Sequence, residues 1–226
     1  VLTFALVYTL IYAQMIPGLT PDLEIKGASV THLPELELLL LEQEVAGTAG
    51  NTKPESTGQL DGAGVIGYVF PTSLTPADAG FGNVEGVLAI AVTAHPDFDD
   101  TPYFDESNDG DYANDGGNWH SHFVVLTSDE RVAGGLSVKQ FTEGDASVVM
   151  PPTNPGLPMY LDSPGFPVVL QDNKLKVLVP TQRLNNKTTF NYDAVTAYMQ
   201  VNTSDDSQPL LGVYEAYNVL SGDLSL

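Results

Sequence analysis

The chain contains no cysteine. Disulfides, thiolate zinc sites and a cysteine nucleophile are therefore excluded. Basic residues are scarce as well: Lys and Arg total 8 against 29 Asp and Glu, for a formal net charge of −21. None stands between Lys53 and Arg131. Nucleic-acid binding needs a basic footprint that displaces counterions, and this chain has none. Attraction to an anionic lipid surface fails for the same reason. Acidity of this degree serves solubility, and it also suits the binding of cations.

Long apolar runs are missing too. Residues 1–13 form an uncharged apolar stretch ending at Ala13-Gln14. That is short of the roughly 20 residues needed to span a bilayer. Its length matches the apolar region of a signal peptide with a truncated start. The expectation is a secreted or periplasmic protein, with no membrane association once that segment is removed. Residues 14–226 are then expected to form a single domain with a long acidic loop at 96–118. No G-x-S-x-G motif occurs, which argues against a serine hydrolase.

What the chain does have is short β-type runs separated by turn residues. Leu23–His32, Val65–Phe70, Val87–Ala94, Trp119–Thr127, Thr188–Thr203 and Leu210–Leu220 are the clearest. Ser147–Met150, Pro167–Gln171 and Leu175–Val179 are shorter. Leu33–Ala46 mixes alternation with good helix formers and reads as a strand beside its neighbours. With 16 Pro and 21 Gly between such runs, the expected fold is all-β. An antiparallel β-sandwich, jelly-roll-like or Ig-like, is the first choice, and a β-barrel is the alternative.

Histidine is rare, with four in all: His32, His95, His120 and His122. On a strand, side chains alternate, so His120, His122 and Val124 share one face. Trp119, Ser121, Phe123 and Val125 share the other, more apolar face, which is expected to meet the core. Two imidazoles on one face can converge on zinc, copper or iron. His95 is the expected third ligand. Its strand face carries Ala89, Ala91 and Thr93, small residues that leave room beside it. The segment 96–118 could join the two strands as a long hairpin.

That segment is crowded with carboxylates. Asp97, Asp99, Asp100, Asp105, Asp109 and Asp111 form a candidate calcium set. Asp105-Glu-Ser-Asn-Asp109-Gly110 imitates the start of a calcium loop, but Gly116 stands where the closing Glu belongs, so an EF-hand is excluded. Two readings follow. One is a secreted metal-binding β-sandwich with a three-histidine transition-metal site and an acidic, calcium-binding loop. The other is a non-catalytic extracellular binding module, for carbohydrate or surface matrix, with structural calcium. The first requires the three imidazoles to converge, whereas the second leaves them dispersed.

Overall fold

Residues 16–224 are described by a computed structural model. The expected signal segment, residues 1–13, lies outside them. Eleven strands run in chain order: β1 (Ile25–Leu33), β2 (Leu38–Val45), β3 (Gly64–Pro71), β4 (Val87–Ala94), β5 (His120–Ser128), β6 (Leu136–Val138), β7 (Leu161–Asp162), β8 (Val168–Gln171), β9 (Lys174–Pro180), β10 (Ala194–Val201) and β11 (Leu211–Leu220). All pair antiparallel. Among the described residues no helix is long and apolar enough to cross a membrane.

The strands divide into two units. One is a four-stranded sheet in the order β1-β2-β9-β8. The other is a closed barrel of six strands, β4-β3-β10-β11-β6-β5, shut by the β4–β5 pairing, with β7 added alongside β5. The expected sandwich is therefore corrected: one layer is an open sheet, and the other is the wall of a closed barrel. Closure runs through β6, which has three residues and meets β11 at the single pair Gly212–Ser137. A run this short carries no alternation pattern, and β7, at two residues, carries even less.

Two apolar cores follow from this arrangement. Leu39, Leu41 and Val45 of β2, with Leu175, Val177 and Val179 of β9, pack on the outside of the barrel. They meet Ile66, Tyr68, Phe70, Leu88, Ile90, Phe123 and Val125 there. The second core fills the barrel interior with Val65, Val69, Ala89, Ala91, Val124, Leu126, Ala197, Met199 and Val213. β3 is buried along its whole length, and β4 is buried beyond its first residue, because each is covered on both faces. Their near-continuous apolar sequences are what such a position demands. β2 has one covered face and alternates instead, every second residue being buried.

One expected strand is absent. Ser147–Met150 follows Asp145, whose carboxylate accepts bonds from the Ser147 N–H and hydroxyl at 2.9 and 2.7 Å, while Val148 N–H bonds back to the Asp145 carbonyl at 3.2 Å. Local turn bonding overrides the β propensity of the valines. The strand expected over Thr188–Thr203 is real but begins only at Ala194.

Candidate metal centre

The pairing of β4 with β5 sets the site. Thr93 lies opposite His120 and Ala91 opposite His122. His95 follows Thr93 by two residues, so the β4 and β5 faces bearing the histidines both point into the barrel. Ser121 points the other way, as expected, and its hydroxyl accepts the Phe166 N–H at 2.8 Å. The expected hairpin is present, and all three histidines are buried at one end of the barrel interior.

The three Nε2 atoms converge. His95 Nε2 and His120 Nε2 are 2.9 Å apart. Asp100 joins them: its Oδ1 lies 3.3 Å from His95 Nε2, 3.1 Å from His120 Nε2 and 3.7 Å from His122 Nε2. The four donor atoms all lie within 4.8 Å of one another. Two ligands at zinc–nitrogen distances in a tetrahedral site stand roughly 3.3 Å apart. The separations of 2.9, 3.1, 3.3 and 3.7 Å bracket that value. Among the described residues this is the one cluster of three or more such groups that could hold a metal.

The rings are oriented from behind. His95 Nδ1–H donates to the Phe98 carbonyl at 3.0 Å, and His120 Nδ1–H to the Asn118 carbonyl at 2.8 Å. A carbonyl can only accept, so the proton of each neutral ring sits on Nδ1 and the lone pair on Nε2 faces the centre. His122 Nδ1 lies 3.1 Å from Ser163 Oγ. The Phe98 ring stacks on His95, centroids 3.9 Å apart and planes within 10°. Such supports fix tautomer and ring plane in metal sites.

Electrostatics describe the same cluster without an ion. Burial alone would raise the Asp100 carboxyl, but the facing His122 and His95 imidazoles and the close His120 contact hold it well below the usual carboxylate range. Burial works against charge on His120, and Asp100 outweighs it, so that ring is raised. Burial takes His122 down to about 3 despite the attraction of Asp100, with His120 and His95 adding to the fall. One proton cannot serve all four donors. Asp100 Oδ1 and His122 Nε2 are buried and make no hydrogen bond. A buried polar atom in that state costs on the order of 1–3 kcal/mol unless something else binds it.

Asp100 was placed in the calcium set by its neighbours in sequence; the fold moves it to the histidines. The other five of that set are engaged with the backbone: Asp97 with the 56–58 segment, the rest within the loop itself. Asp97 accepts from Ser56 Oγ, Thr57 N–H and Gly58 N–H at 2.5, 2.9 and 2.7 Å. Asp99 accepts from Thr101 N–H and, across the loop, from Asp115 N–H, at 2.7 and 2.6 Å. Asp105 accepts from Gly110 N–H, Asp109 from Asp111 N–H, and Asp111 from Ala113 N–H. His32 lies exposed on β1, on the four-stranded sheet. Phe98 and Asp100 follow His95 within five residues, and that nearness was the available signal for both. Ser163 arrives from far along the chain on β7's end and has no local signature.

Comparison with protein-family models, with curated proteins and with solved structures returned no match.

Proposed function

We propose that this protein binds one divalent transition metal through His95, His120, His122 and Asp100. The observation that carries the reading is the convergence of three imidazole nitrogens and one carboxylate oxygen in a buried space. Zinc fits best, since three imidazoles and a carboxylate are a donor set that suits it. Copper and iron are the competing occupants. Calcium and magnesium prefer an all-oxygen shell and are disfavoured here.

The chemistry available is that of a Lewis acid. With four protein donors, a bound ion would have to expand to a fifth position, or release one donor, to polarise an oxygen or lower the pKa of a bound water. The backbone carbonyls of Phe98 and Asn118 turn the His95 and His120 Nε2 atoms toward the centre, and all three rings are buried from bulk water. Placement outside the cytoplasm, expected from residues 1–13, belongs to the same proposal, as does the long acidic loop acting as the cover of the centre.

Metal analysis of purified protein tests this directly. Metal-free protein incubated with zinc, copper(II) or iron(II) and then desalted is expected to retain one equivalent of at least one ion. His120→Ala and His122→Ala are expected to lose it. Wild-type protein that retains none of the three overturns the proposal.

A further inference from the structure

The metal centre does not face a packed interior. Directly behind it the barrel encloses a cavity of ≈ 80 Å³. Natural cores rarely leave voids larger than a water molecule. Val69, Val124, Leu126, Ala197, Met199 and Val213 are among its walls. Its polar lining side chains are Thr93, His95, Asp100 and His122, all at the metal end. Every other lining residue is apolar or glycine.

A second cavity of ≈ 140 Å³ adjoins it. The two share Phe98, Asp100, Leu161 and Leu211. Beyond these, the second is bounded by Leu60, Leu157 and Leu210, and Leu60 is exposed. Joined past these shared side chains, the two spaces would form an apolar passage from the surface, by Asp100, into the barrel.

We infer that the barrel binds a small uncharged molecule with an apolar body and one terminal oxygen, the body lying in the cavity and the oxygen taking a fifth position on the metal. This rests on the metal-binding reading above. The polarity of the walls sets the class: an apolar tube with its polar atoms at one end matches a ligand polar at one end. The void sets the size. A cavity of about 150 Å³ accommodates benzene, so the two spaces together take a body of roughly four to six carbons. Charge sets the head. The passage runs beside Asp99 and Asp100 in a chain of net charge −21, which repels an anionic head. A ketone, aldehyde, alcohol or phenol remains.

Cobalt(II) replaces zinc as a visible reporter in the test. Cobalt-loaded protein is titrated with pentan-2-one and, separately, with pentanoate, following the metal absorption and the melting temperature. The ketone is expected to shift the absorption saturably and to raise the melting temperature, with pentanoate weaker by about tenfold. Ala197→Leu fills the cavity away from the metal; it is expected to take up cobalt normally and to bind the ketone about tenfold more weakly. Val69→Leu serves the same purpose should Ala197→Leu fail to fold. Cobalt-loaded protein indifferent to the ketone overturns the inference and leaves the metal site standing. Equal binding by the filled variant, tighter binding of pentanoate, or undiminished ketone binding by metal-free protein also overturns it. Failure to take up cobalt, read by metal analysis before any ligand is added, removes the metal reading itself and the inference with it.

Discussion

Ser163 illustrates how little of a candidate metal site is visible in the four residues that could hold an ion. Its hydroxyl stands behind His122 and contacts nothing else in the centre. Removing such a support typically lowers metal affinity by about 10–100-fold, because the ring is free to turn. Ser163→Ala is expected to reduce zinc affinity by about tenfold, measured by competition with a chelating dye, with melting temperature of the metal-free protein little changed. An unchanged affinity means that His122 is held by its strand alone. Asp100 teaches a related lesson. Six aspartates in one loop looked equivalent in sequence, and alternating carboxylates suggested calcium. What separates Asp100 from the rest is burial opposite three imidazoles, which depends on the loop's path and on no residue type. The histidines were legible because imidazole is rare in this chain and strand alternation fixes which pair shares a face.

At the scale of elements, the hairpin β4–loop–β5 carries all four residues of the candidate site. Its loop returns through a narrow point at Gly116. The Gly116 carbonyl accepts the His95 N–H at 2.7 Å. A β-carbon there would fall 1.6 Å from the Phe98 carbonyl oxygen and 2.6 Å from that of His95. Both neighbours are backbone, so neither can yield without moving His95. Gly116→Ala is expected to abolish stoichiometric zinc retention, while β-sheet content by circular dichroism persists. Retained zinc in that variant shows that the loop has a second route. The long strands of this hairpin were legible from their apolar runs, and the connecting segment 96–118 suggested that they pair. The barrel itself was not. It is closed through β6, whose three residues lie below any periodicity that sequence can display. Between a sandwich and a barrel, the decision rests on a few hydrogen bonds between residues far apart in the chain.

At the scale of the whole molecule, acid is the condition to vary. Many carboxylates accept backbone or side-chain bonds, and Asp78 is the clearest case. Burial opposes its charge, but Lys187 at 2.8 Å and the Thr75 N–H and hydroxyl lower its pKa from 3.8 to about 2. A carboxyl depressed on folding adds stability above its unfolded pKa, and loses it as pH falls through the folded value. The contribution of Asp78 is therefore intact above about pH 4 and lost toward pH 2. Asp78→Asn is expected to be less stable than wild type at neutral pH, with the difference shrinking between those limits in urea unfolding curves. A difference that stays constant with pH removes the ion pair from the account.

The order of the ligands along the chain has one more implication. His95, Asp100, His120 and His122 fall within residues 95–122, so an ion held by all four would tie two distant points of the unfolded chain into a loop. Cross-linking of that kind lowers the entropy of the unfolded ensemble, much as a disulfide does. In a chain without cysteine, metal and fold would then be thermodynamically coupled: chelation would loosen the hairpin, and unfolding would release the ion. The centre would act as a removable staple, with strength set by the supply of metal outside the protein.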